Sequence, residues 1–116
     1  MESEETHRPH PLKVTAAACD GVVVVTVSGA IDHASVGPLV QALAPGRPRV
    51  IVDMRQVSFM DSSGINALLT AHRDLTGTEG WLRLAGVPAS IRRTLQITGV
   101  DTAIPSYPSL REALAA

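Results

Sequence analysis

Apolar positions along this chain change period in an orderly way, from the alternation of strands to the three-to-four spacing of helices and back. Lys13–Cys19 reads as a weak strand. Asp20-Gly21 is a strong hairpin signal, and the β-branched run Gly21–Ser28 is a second strand that pairs back on the first. Past Gly29, a loop through Asp32 and His33 leads to Ser35, a candidate N-cap. Val36, Leu39, Val40 and Leu43 then recur at helical spacing, a helix predicted to end near Pro45-Gly46. Arg49–Met54 is a third strand. The next helix is predicted from about Ser63 to Leu75, with Ile65, Leu68, Leu69, His72 and Leu75 on one face and Gly77 as its stop. Trp81–Ala85 is a strand, Pro88–Thr98 a helix stopped by Gly99, Ala103–Ile104 a short strand, and Ser109–Ala115 a last helix buried through Leu110, Ala113 and Leu114.

That order predicts a single α/β domain over residues 12–116, preceded by a disordered tail, Met1–Pro11. The sheet is mixed: an N-terminal antiparallel hairpin, then parallel strands joined by right-handed crossovers and covered by about four helices. The alternating hairpin strands leave the opposite sheet face partly polar and available for contacts.

Composition narrows the function classes. A chain of 116 residues has room for one core and no separate substrate domain. Phe59, Trp81 and Tyr107 are its only aromatic residues, so the core is aliphatic and no platform exists for stacking bases. With a net charge of −1 and scattered arginines, no nucleic-acid surface is expected, which leaves proteins as partners. Cys19 stands alone, compatible with a reducing compartment. There is no signal-peptide core and no apolar run near the roughly 20 residues a membrane span requires, so a cytoplasmic location and no membrane contact are expected.

The densest candidate chemistry is Val57-Ser58-Phe59-Met60-Asp61-Ser62-Ser63-Gly64-Ile65, between the third strand and the following helix. A helix mouth presents unpaired N–H groups and the positive end of the dipole, which suits a phosphate, so a modifiable serine there is a natural reading. If the second and third strands are parallel, the loops after Ser28 and Met54 emerge at one edge, which makes Asp32 a neighbour of Asp61–Gly64. Phe59 and Met60 flank the turn in a loop, anchored beneath it or open to a partner.

Other readings compete. Ser62 or Ser63 could serve only as an N-cap, and Asp32 only as a loop cap. Asp53 at a strand end raises phosphorylation on aspartate, but that receiver arrangement needs a late lysine and Lys13 is the sole lysine. A hydrolase would recruit Ser62 with His33 or His72, yet no Gly-x-Ser-x-Gly elbow surrounds Ser62. His72 reads instead as a satisfied or half-buried core histidine. His7 and His10, remote from Cys19, make no metal site, and no cofactor is expected.

Ser28-Gly29-Ala30-Ile31-Asp32, Val50–Met54, Ser58–Gly64 and Leu95–Val100 together resemble the STAS domain family. Within it the chain is most similar to stand-alone bacterial anti-sigma factor antagonists, from Lys13 to the C-terminus. The resemblance implies a STAS fold and no enzyme activity. It makes Ser62, directly after the aspartate, the phosphoacceptor, with Ser63 secondary. It makes Asp32, His33, Phe59, Met60, Asp61, Ser63, Gly64 and Asn66 the partner-binding set. Ala30 departs from the family, where an acidic residue often stands, and this bears on partner contacts rather than on the phosphosite. The implied partners are a kinase-type, ATP-binding anti-sigma factor and a serine phosphatase, and both a monomer and a weak dimer stay open. STAS domains also serve as scaffold subunits of stress-signalling complexes and as partners of lipid-transporting ABC ATPases, so this alternative stands beside the first.

Overall fold

Asp20 and Gly21 both adopt positive φ, 53° and 81°, and so close a two-residue turn whose twist matches the strands it joins. On either side of it β1 (Lys13–Cys19) and β2 (Val22–Ile31) pair antiparallel, with Cys19 opposite Val22 and Lys13 opposite Ser28. The computed structural model describes residues 11–43 and 48–116. The tail expected over Met1–Pro11, apart from Pro11, and the helix end expected near Pro45-Gly46 lie outside the described residues.

The remaining elements are α1 (Gly37–Ala42), β3 (Arg49–Met60), α2 (Ser62–Thr76), β4 (Trp81–Ala85), α3 (Ala89–Thr98), α4 (Val100–Ala103), β5 (Ser106–Tyr107) and α5 (Leu110–Ala115). The five strands form one sheet in the order β1-β2-β3-β4-β5, and every pair after the hairpin is parallel. Alternation along the strands sends two sets of side chains to two faces. On one face Val25, Val27, Val50, Val52, Met54, Leu82 and Leu84 meet Leu39 of α1, Leu68 of α2, Leu95 of α3 and Val100 of α4 in the main core. On the other, Val22, Ile51 and Ala85 meet Ala113 of α5, with Trp81, Tyr107, Leu110 and Leu114 packed around them. Arg83 fastens α5 to this second face. Its Nη1 donates to the Ala113 carbonyl at 2.9 Å, and its guanidinium lies 3.6 Å from the Trp81 ring centre, both favourable for a cation near a helix C-terminus.

Several elements differ from the sequence expectation. β2 and β3 run on past Ser28 and Met54, to Ile31 and Met60, so Phe59 and Met60 belong to a strand rather than a loop. Two register shifts, between Thr26 and Ser28 and between Gly29 and Ala30, absorb extra residues on β3. The polar pair Arg55-Gln56 marks this bulged stretch, not the strand's end. The first helix begins two residues after Ser35, which is not its N-cap; Val36 holds that position without a side-chain bond and a proline stands in the first turn. Val40, expected on the buried face, is half exposed, and Leu39 and Leu43 supply the contact. Ala103–Ile104 is no strand. Gly99, in the left-handed conformation at φ 81°, ends α3 and starts the one-turn α4, with the Thr102 hydroxyl donating to the Gly99 carbonyl at 2.7 Å. The short strand falls instead at Ser106–Tyr107. The described residues therefore hold five helices rather than about four.

Candidate functional site

The ends of β2 and β3 and the start of α2 converge on one edge of the sheet. Ile31 lies beside Met60 in the parallel register, and the Asp61 amide donates to the Ile31 carbonyl at 3.1 Å. This brings the loop after Ile31 against the Asp61–Gly64 turn, the juxtaposition expected from sequence.

Asp61, in extended conformation, is the N-cap of α2, which begins at Ser62 rather than Ser63. Its Oδ1 accepts from the Ser63 amide at 2.8 Å, and its carbonyl accepts from Gly64 and Ile65 at 3.1 and 3.2 Å. The capping role weighed for the serines thus falls to the aspartate. Asp61→Ala is expected to lower unfolding free energy by about 0.5–2 kcal/mol in urea titration, because one amide of the first turn loses its acceptor.

The two serines part company at this point. Ser62 is exposed at the first helical position, and no hydrogen bond engages its hydroxyl among the described residues. Ser63 is half-buried and borders a groove of about 350 Å³ between α1 and α2, shared with Val40, Leu43, Asn66, Ala67 and Thr70. Asn66, expected in the partner-binding set, lines this groove, which nothing in the sequence reading anticipated. The signal was present in Val40, an apolar residue at helical spacing that the core leaves uncovered.

Gly64 is buried where α2 crosses the strand ends. A Cβ there would lie 2.5 Å from Met60 Cγ and 2.9 Å from Ile31 Cγ2, so the helix mouth approaches the sheet more closely than any side chain permits. Met60 accordingly anchors beneath the turn, 6% exposed, while Phe59 beside it is 52% exposed, which splits the pair the sequence treated alike.

The loop after β2 is held by its own side chains. Asp32 Oδ1 accepts from the Ala34 and Ser35 amides, both at 3.0 Å. Ser35 Oγ accepts from the Asp32 amide and donates to the Ala30 carbonyl, again at 3.0 Å each. Asp32 therefore caps the loop, and Ser35 is its reciprocal partner rather than a helix cap. His33 is exposed at the tip of this turn.

The other singled-out groups lie elsewhere. Asp53 is buried inside β3, opposite Thr26 and Ala85; its Oδ1 accepts from the Arg55 amide at 3.1 Å, so it is not at a strand end. His72 is half-buried, and its Nδ1 is buried without a hydrogen-bond partner among the described residues. No group of three metal-ligating side chains occurs among the described residues. No helix among them is long and apolar enough to cross a membrane.

The fold that carries this turn is shared with known proteins. The chain belongs to the STAS domain family, whose model matches residues 13–113. Among solved structures it is similar to an anti-sigma factor antagonist from Mycobacterium paratuberculosis. The two are 32% identical over 90% of this chain and 92% of that one, with a TM-score of 0.82. It is 26% identical to the anti-sigma-F factor antagonist RsfB of Mycobacterium tuberculosis, over 91% of this chain and 89% of that protein. The fold is also that of the Bacillus cell fate determinant SpoIIAA in its phosphorylated form, at a TM-score of 0.67 and 24% identity over 90% of this chain and 96% of that one.

Proposed function

We propose that this domain is an anti-sigma factor antagonist whose binding is switched by phosphorylation of Ser62. The observation that carries the reading is the contrast at the mouth of α2: Ser62 is exposed at the first helical position, while Ser63 is half-buried against the groove. A kinase reaches the first hydroxyl and not the second. The names of the relatives, antagonists of anti-sigma factors, supply the class of partner.

In this reading the partner is a kinase-type, ATP-binding anti-sigma factor in the cytoplasm. Its docking surface is the exposed rim around the turn: His33 and Asp32 from the loop after β2, Phe59 from β3, and Ser62 and Asn66 from α2. Asp61, Met60 and Gly64 hold that rim in shape from beneath, and Ser63 lines its inner wall. Unphosphorylated, the domain occupies the anti-sigma factor and the sigma factor is released. A phosphoryl group on Ser62 adds about −1.5 to −2 charge beside Asp61 and the Asp32 loop. The helix N-terminus accommodates that charge within the domain, but a complementary partner surface loses its fit, and a serine phosphatase restores it. The domain contributes no catalytic group and acts as substrate and ligand.

The test is to incubate the protein and its Ser62→Ala variant with the candidate anti-sigma kinases of its own genome and ATP, then map phosphate by peptide mass spectrometry. One phosphate at Ser62, absent from the variant, is the expected result. Phosphate retained by the variant moves the site to another residue. No phosphate with any kinase, together with stable association with a non-kinase protein, replaces this reading with the scaffold or transporter-partner alternative.

A further inference from the structure

A second crevice opens at the same end of the sheet, away from the Ser62 turn. After β4 the chain passes to α3 on the main-core face, and after β5 it passes to α5 on the opposite face. The two connections therefore diverge, which is the arrangement that leaves ligand-binding crevices beyond the carboxyl ends of parallel strands. Gly86 and Val87 after β4, with Ser106 and Tyr107 of β5 and Pro108 after it, line such a crevice here, with a volume of about 480 Å³, in the range of small-molecule sites.

Its charge pattern is specific. Arg55 reaches it from the bulged part of β3 and Arg92 from α3, while Asp101 of α4 supplies a single carboxylate. Arg55 makes one long ion pair, its Nη2 3.9 Å from Oδ2 of the buried Asp53, and with its side chain 74% exposed the rest of its guanidinium stays open to a ligand. Arg92 has no ion pair among the described residues. Gly86, at φ 65°, brings the β4 connection close enough that a Cβ would lie 3.2 Å from Arg55 Cβ, so the backbone itself forms the wall against the base of that side chain. Two guanidinium groups match the oxygens of a phosphate or carboxylate, and a carboxylate beyond them matches an ammonium group.

We propose that this crevice binds a small metabolite with an oxyanion at one end and an amine at the other, the oxyanion between Arg55 and Arg92 and the amine toward Asp101. Such a ligand gives the domain an input separate from Ser62, on the same β3 strand that carries Phe59 and Met60. The site stands or falls apart from the phosphorylation switch, since its readout involves neither kinase nor partner.

The experiment is a titration of the isotope-labelled full chain, followed by amide chemical shifts. Phosphoethanolamine and 4-aminobutyrate serve as the two probes, and inorganic phosphate as the amine-free comparison. Saturable shifts centred on Gly86 and Ser106 with one probe are expected, and the probe that saturates tells whether the oxyanion is phosphate or carboxylate. Arg92→Gln, an exposed position whose spectrum reports whether the fold is kept, is expected to weaken that probe at least about tenfold. Asp101→Asn is expected to weaken it while leaving inorganic phosphate unchanged. Absence of saturation by both probes, or an affinity that Arg92→Gln leaves unchanged, overturns the site. An Asp101→Asn variant with undiminished affinity for the amine-bearing probe overturns the assignment of the ligand's second end.

Discussion

Gly64→Ala is expected to lose about 1–2 kcal/mol of unfolding free energy, even though it replaces glycine by the best helix former. Within a helix the exchange alone is worth up to about 1 kcal/mol in favour of alanine. Against it stands overpacking, which typically costs about 1–3 kcal/mol where a core cannot move aside. The new methyl would lie 2.5 Å from Cγ of the buried Met60, near the root of that side chain, and 2.9 Å from Cγ2 of Ile31, which is β-branched, fully buried and leaves Met60 little room to give. The clash therefore outweighs the helix gain. Chemical unfolding of Gly64→Ala, Met60→Ala and the double variant checks the cause. Room made at Met60 should shrink the glycine effect, so that the two losses are less than additive. Additive losses, or a stabilised Gly64→Ala, would show that the helix mouth tolerates a side chain.

Ser62→Asp is expected to weaken binding to the anti-sigma factor by at least about tenfold while leaving the isolated domain as stable as before, or more stable by about 0.3–1 kcal/mol. The two halves of this expectation come from one position. Ser62 is the first residue of a 15-residue helix, with no acidic residue in the first turn after the Asp61 cap, so an added negative charge is welcome to the helix dipole. The same charge faces outward, where a partner must be desolvated against it. Calorimetry of the complex and thermal unfolding of the free domain separate the effects. Weaker binding with undiminished stability supports the charge mechanism, whereas a joint fall in both traces the loss to damage at the turn. One carboxylate carries less charge than a phosphate, so phosphorylated protein should show the larger effect.

Much of this fold was legible where local signals agree. The Asp20-Gly21 hairpin, the β-branched run after it and the Asp-Ser-Ser-Gly turn each need only neighbouring residues, and the two latter elements stand close to their expected places. What escaped depended on distant partners. The continuation of β3 to Met60 follows from pairing with Ala30 and Ile31 through two bulges, and nothing near Arg55-Gln56 announces it. Ala103 and Ile104 read as a strand because Ile104 is apolar, yet its burial comes from the main core beneath α4, not from a ladder. At the site the loop that begins at Asp32 lies beside the Asp61 turn, joined through the Asp61 amide and the Ile31 carbonyl. The division of labour between Phe59 and Met60, and between Ser35 and Asp61 as caps, required the register. The Arg55–Arg92 crevice joins β3 to residues about 30 to 50 positions later, from the end of β4 to Pro108, and has no local signature.

The lopsided placement of helices also bears on the folding of the molecule. Among the described residues four helices gather on one side, and the main core they build takes nothing from Leu110–Ala115. The other side, with Ile51 and Ala85 at its centre, waits for Leu110–Ala115. Until that helix docks, the folding domain carries a bare apolar strip on an otherwise finished sheet, and transiently exposed apolar surface of this kind is where folding intermediates associate.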